Sequence, residues 1–126
     1  MKILKASDSI IFFSRAEQFV LPYEKGCCAL MQRILSHDDS VYIFAEDDDA
    51  KKISGVIAFT LGRVLFHCLP DKSDDVLVCL TEFCRSRNIF CITGLTEGTD
   101  FVEKAIFAAN GKIASEQRDY YFMEFS

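Results

Sequence analysis

The 126-residue sequence lacks tryptophan and has only two prolines and two histidines. No apolar run approaches the roughly 18 residues of a membrane-spanning helix, and Met1 to Ser9 lacks the pattern of a secretory signal peptide. Positive charge is also scarce, since 14 Lys and Arg face 19 Asp and Glu, for a net charge of −5. This balance argues against a nucleic-acid partner held through phosphate neutralisation. The sequence therefore predicts a soluble cytoplasmic protein with no nucleic-acid or membrane partner.

Metal-binding spacing is absent too. The six cysteines include no CxxC pair, and His37 and His67 stand alone, so no metal site is predicted. Five of the six lie in apolar runs, which predicts reduced, buried thiols. A reactive thiol is the alternative, with Cys68 foremost because it lies at a strand end. The acidic run Asp47 to Asp49 is predicted to be a solvated hairpin tip.

Hydrophobic residues make up 50% of the chain, enough for one core, and we predict a single domain over residues 1–126. Apolar periodicity and turn residues divide it into alternating strands and helices. The predicted strands are Lys2–Lys5, Val41–Glu46, Ile53–Thr60, Arg63–Leu69, Ile89–Leu95, Lys112–Glu116 and Tyr120–Phe125. The predicted helices are one ending at Pro22, then Tyr23–Leu35 with Gly26 in its body, Asp74–Arg87 and a last one that starts at Thr99 or Gly98 and runs to Asn110.

The connection between two of these strands sets the fold class. A helix separates Arg63–Leu69 from Ile89–Leu95, which predicts a βαβ crossover and hence a parallel pair. The three strands before it follow one another through short turns and predict an antiparallel meander. The predicted fold is α/β (α+β): a mixed, mostly antiparallel twisted sheet with one parallel βαβ pair, flanked by helices.

Three segments carry a family resemblance. They are Met1–Ser7, the glycine-containing strand Ile53–Phe59 and the late helix "FVEKAIFAANGK" of residues 101–112. Together with the element order, they resemble the GNAT N-acetyltransferase superfamily over nearly the whole chain. The resemblance implies an acyl-CoA-dependent N-acyltransferase, with acetyl-CoA or another acyl-CoA as cofactor. In the family, backbone groups of the fourth strand pair with the pantetheine arm, and here those positions are Val64, Leu65, Phe66, His67, Cys68 and Leu69.

Two departures from the family pattern bear on that activity. The family binds the CoA pyrophosphate in a Q/R-x-x-G-x-G/A loop, whereas residues 69–75 read "LPDKSDD", without glycine and with three aspartates. The family's frequent tyrosine acid, four residues before the glycine that ends the late helix, falls on Phe107. The sequence therefore predicts weak or absent acyl-CoA binding.

Candidate catalytic residues remain on the strands. His67 is the candidate general base, because a histidine titrates in the useful range, and the alternative is a satisfied buried histidine. Glu46 is a weaker alternative base, and His37 is predicted to be solvated. Tyr120 is the candidate acid that replaces the missing tyrosine, although only one of Tyr120 and Tyr121 can face a cleft.

Two classes of function follow. One is the acyl-CoA-dependent N-acyltransferase, and the other is a non-catalytic GNAT-like binding or interaction module. The chain's end directly after the last strand would suit the first half of a tandem GNAT protein. The expected partner is thus a second GNAT domain or, through the β-prone segment Tyr120–Phe125, a second copy in a homodimer.

Overall fold

The computed structural model describes residues 1–46, 52–85, 87–89, 91–95, 99–110 and 121–125. Its strands are β1 (Lys2–Leu4), β2 (Val41–Ala45), β3 (Ile53–Phe59), β4 (Val64–Cys68), β5 (Cys91–Leu95) and β6 (Tyr121–Phe125). Its α-helices are α1 (Phe12–Val20), α2 (Cys28–Leu35), α3 (Asp74–Cys84) and α4 (Thr99–Asn110). Short 3₁₀ turns occupy Ala6–Asp8 and Leu21–Tyr23. The predicted strand Lys112–Glu116, the acidic run Asp47 to Asp49 and Tyr120 lie outside the described residues.

The strands form one six-stranded sheet in chain order. β1 to β4 are antiparallel neighbours, and β4 pairs with β5 in parallel. The predicted βαβ unit, with α3 as its crossover, is therefore confirmed, as is the mixed α/β class. β6 also pairs in parallel with β5, which adds a second parallel pairing to the one predicted from the sequence.

Helices cover both faces of the sheet. Alternation along the strands sends successive side chains to opposite faces, so Val56 and Phe66 pack on the α1–α2 side while Ile57 and Leu65 pack on the α3–α4 side. Both sets are buried, which explains why these strands read as nearly continuous apolar runs rather than as alternating ones. β4 lies in the middle of this sandwich.

The second helix begins later than predicted. Its N-terminal cap is Cys27 and its first residue is Cys28, so Gly26 precedes the helix rather than lying in its body. Pro22 sits instead in the 3₁₀ turn Leu21–Tyr23, and Gly26 donates to the Tyr23 carbonyl in a following turn. The apolar periodicity continues from this turn into α2, which is why the sequence predicts a single helix over Tyr23–Leu35.

Among the described residues, two that are not glycine adopt positive φ, and both lie at turns. His37, at φ 55°, follows α2 in a Schellman motif. Its N–H donates to the Ile34 carbonyl, and the Asp38 N–H donates to the Arg33 carbonyl. Arg63, at φ 61°, completes the β3–β4 hairpin.

Candidate functional site

The candidate site is the carboxyl end of β4, where β5 and the start of α3 meet it. The register pairs Val64 with Cys91 and continues to His67 with Gly94. All of the predicted cofactor-contacting positions, Val64 to Leu69, therefore lie along one side of β5 or just beyond it. In this arrangement the edge of β4 that faces β5 is engaged by that strand.

The two strands stay close at this end. A Cβ built on Gly94 would lie 2.3 Å from the His67 carbonyl oxygen, so only glycine permits the approach. On the α2 side, Cys27, Leu30 and Phe66 close the space over the strands, and a water molecule does not fit there. The strands do not splay apart to leave a slot for an extended ligand.

His67 fills the space that Gly94 leaves. Its side chain is fully buried, and a Cβ on Gly94 would meet Nδ1 at 2.6 Å and Cε1 at 2.7 Å. Neither ring nitrogen has a hydrogen-bond partner among the described residues. Burial, with a contribution from the positive charge of Lys72, lowers the pKa of His67 to about 4. The imidazole is thus neutral at pH 7 and sealed from solvent.

Cys68 is not the reactive thiol that its strand-end position suggested. It is fully buried, and a hydrogen bond with Cys27 together with burial raises its pKa well above the usual range. Cys27 itself lies next to the His67 carbonyl, with 3.6 Å between its Sγ and that oxygen. Buried thiols with raised pKa values are poor nucleophiles, so this pair is structural. All six cysteines are free.

The start of α3 is where the resemblance would place a pyrophosphate. There the Ser73 hydroxyl accepts from the Val76 N–H at 3.4 Å, and the Ser73 carbonyl accepts from the Leu77 N–H at 3.0 Å. The Asp71 carboxylate accepts a hydrogen bond from the Ser73 N–H at 3.0 Å. Asp74 and Asp75 add two carboxylates in the first turn, where they favour the positive end of the helix dipole. Side-chain oxygens of the chain itself therefore accept from two N–H groups at this helix terminus, those of Ser73 and Val76.

The remaining candidates do not join His67 in a described cluster. Glu46 follows β2, and the whole of β3 lies between β2 and β4. His37 stacks on Phe13 with ring centroids 4.5 Å apart at the end of α2. Phe107 is partly exposed on α4 and carries no hydroxyl. The predicted acid, Tyr120, is outside the described residues.

Gly94 is the residue that the sequence reasoning missed. A glycine inside the strand Cys91–Leu95 was the available signal, because an interior strand glycine marks a bulge or a close approach of another group. Which group approaches depends on the β4–β5 register, which no local pattern gives.

Comparisons with protein-family models, with curated proteins and with solved structures found no significant match. No helix within the described residues is long and apolar enough to cross a membrane. Over that same part of the chain, no group of three or more His, Cys, Asp or Glu residues is placed to hold a metal ion.

Proposed function

We propose that this chain is a GNAT-like domain that does not itself transfer acyl groups and serves as a binding or interaction module. The observation that carries the proposal is the occupancy of the α3 terminus. A pyrophosphate cradle needs several free backbone N–H groups aimed at one point. Here two of the terminal N–H groups, those of Ser73 and Val76, already donate to the side chains of Asp71 and Ser73.

The charge at this terminus supports the same proposal. Asp71, Asp74 and Asp75 are exposed there, with Lys72 as the single basic residue between them. A phosphate charge about 6 Å from one carboxylate is opposed by roughly 0.7–3 kcal/mol, depending on the effective dielectric. Several such terms outweigh the attraction of the lysine.

The closed β4–β5 pair is the second support. A ligand arm between the strands would have to replace the pairing that runs from Val64–Cys91 to His67–Gly94. It would also have to displace side chains from a space too small for water. Opening this gap therefore costs backbone hydrogen bonds and apolar contacts together.

An acyl-CoA-dependent N-acyltransferase is the second candidate, and one observation favours it. Two buried polar groups beside the gap, the His67 ring and the Thr93 hydroxyl, have no hydrogen-bond partner among the described residues. Buried polar groups are usually paired, so a ligand that enters the gap would give them partners. In that case His67, neutral at pH 7, would serve as the base.

The proposed setting is the cytoplasm, which the free cysteines support because that compartment keeps thiols reduced. The proposed partner is a second GNAT-like domain or a second copy of this chain. β6 supports this choice, since it is the terminal strand in the order of the sheet. Sedimentation at tens of micromolar should give a mass of two chains, and a mass of one chain would remove the second copy as the partner.

Calorimetry with acetyl-CoA tests the proposal. We expect a dissociation constant above about 1 mM, equivalent to less than roughly 4 kcal/mol of binding free energy. Replacing residues 69–75 with a glycine-rich, arginine-containing loop of the family form should tighten binding. A matched graft with the same glycines but the aspartates retained separates charge from backbone geometry. A micromolar constant for the unmodified chain would overturn the proposal in favour of the enzyme.

A further inference from the structure

An open cleft lies at the opposite end of β4 from the candidate site. The turn after α2 and the β3–β4 hairpin enclose a volume of about 760 Å³. Ligand pockets in proteins span roughly 300–1,000 Å³, so this cleft has the size of a small-molecule site. The cleft is distinct from the candidate acyl-CoA site, because it lies at the amino end of β4 rather than at the carboxyl end.

Arg33 provides a fixed cation in this cleft. Its Cζ lies 4.7 Å from the centroid of the Phe66 ring, and its NH1 donates to the Asp38 carboxylate at 3.1 Å. Its Nε is buried and has no acceptor within the described part of the chain. The side chain as a whole is 34% exposed, so a ligand in the cleft can contact the part of Arg33 that remains accessible, and a carboxylate, like a phosphate, matches the planar guanidinium.

The acidic residues of the cleft differ in how they are used. Asp38 accepts from the Ser40 N–H at 2.9 Å and from Arg33. Those hydrogen bonds, the one from Ser40 foremost, lower the pKa of Asp38, so its carboxylate stays charged and balances Arg33. Asp39 is exposed on the same cleft, and the described residues give its carboxylate no ion pair. A positively charged ligand group would complement Asp39.

Part of the cleft wall is apolar. Phe59, Leu61 and Val64 line it, and Leu61 is fully exposed at the tip of the hairpin. An aliphatic group placed against the side chains of Leu61 and Val64 would remove apolar surface from water on both sides.

From these three features we propose that the cleft binds an amino-acid-like zwitterion with an aliphatic side chain. The ligand carboxylate pairs with Arg33, the ammonium with Asp39, and the aliphatic group rests against Leu61 and Val64. This activity goes beyond the proposed interaction function and does not depend on it.

The test is a titration of the ¹⁵N-labelled chain with L-leucine, 4-methylpentanoate and 3-methylbutylamine. The last two probes each lack one of the two charged groups. We expect saturable binding of leucine with a shift of the Arg33 Nε–H signal, and roughly tenfold weaker binding of each half-ligand. Absence of saturable leucine binding up to about 20 mM overturns the proposal, as does equal affinity for 4-methylpentanoate.

Two variants test the roles of the two charged residues, and a third is the control. Arg33→Lys keeps the charge but loses the planar fork, and should weaken leucine binding by roughly tenfold. Asp39→Asn, at an exposed position, should reduce leucine's advantage over 4-methylpentanoate to less than about threefold. Arg85→Lys is the matched control, since Arg85 pairs with Glu82 on α3 and does not line the cleft. If Arg33→Lys fails to fold, the test is the ratio of the leucine and 4-methylpentanoate affinities in Asp39→Asn. A ratio equal to that of the unmodified chain contradicts the proposal.

Discussion

The two ends of β4 use similar chemical groups in opposite ways. At its carboxyl end, the chain itself engages two N–H groups at the start of α3, pairs the edge of β4 with β5 and fills the space over Gly94 with the His67 ring. At its amino end, the Arg33 side chain borders an open cleft of about 760 Å³. An element order alone therefore does not locate a ligand site, because packing decides which end of a strand stays open.

The largest expected effect comes from filling the space over Gly94. Gly94→Ala should lower the free energy of unfolding by about 3 kcal/mol or more, because its Cβ would meet the His67 backbone oxygen at 2.3 Å. Gly62→Ala is the control at the other end of β4, where the nearest atom is Thr60 Oγ1 at 3.7 Å, and should change little. Urea denaturation of both variants checks the comparison, and equal losses would show that the closed end is not tightly packed.

The next effect is the pH dependence that His67 confers. Its pKa of about 4 in the folded chain lies below the unfolded value of 6.5, so the unfolded state binds more protons between these pH values. The contribution of His67 to the free energy of unfolding should therefore be complete above pH 6.5 and decrease as the pH falls. We expect a loss of about 2 kcal/mol between pH 7 and pH 5. Denaturation curves at the two pH values measure this loss.

Two variants identify the histidine responsible. His67→Leu should remove most of the loss between pH 7 and pH 5, because the titrating group is gone. His37→Gln removes the exposed histidine that stacks on Phe13 and should leave the loss in place. If His37→Gln removes the stability loss between pH 7 and pH 5 and His67→Leu does not, the result would contradict the burial of His67.

A smaller gain is expected at the hairpin that borders the open end. Arg63 adopts φ 61°, which costs a non-glycine residue roughly 1–2 kcal/mol. Arg63→Gly relieves that strain but adds unfolded-state entropy, so we expect stabilisation of about 0.5–1 kcal/mol. His37→Gly, at φ 55°, relieves similar strain but loses the stacking on Phe13, and should be close to neutral. Thermal unfolding compares the two, and destabilisation by Arg63→Gly would contradict the strain argument.

The order of elements could be predicted from the sequence because it follows from local patterns. Apolar periodicity and turn residues predict the βαβ unit and a helix that starts at Thr99 or Gly98 and ends at Asn110, and the structure confirms the unit and the Thr99 start of α4. The start of α2 could not be placed this way, since the apolar spacing of Tyr23 and Cys27 continues the face of the true helix.

The sites were harder to predict because they are assembled from distant segments. The closure at Gly94 depends on its register with His67, 27 positions earlier in the chain. The cleft joins Arg33 from α2, Asp38 from a turn and Phe66 from β4. By contrast, the acidic character of residues 69–75 is local, and it was visible in the sequence.

The most direct test of the closed end follows the Gly94 backbone amide during an acetyl-CoA titration of the ¹⁵N-labelled chain. With a dissociation constant above about 1 mM, less than roughly one-tenth of the chain is bound at about 0.1 mM acetyl-CoA, so the signal should stay in place. A saturable shift of this amide with a micromolar midpoint would show that the β4–β5 gap opens to the cofactor, and would contradict the account.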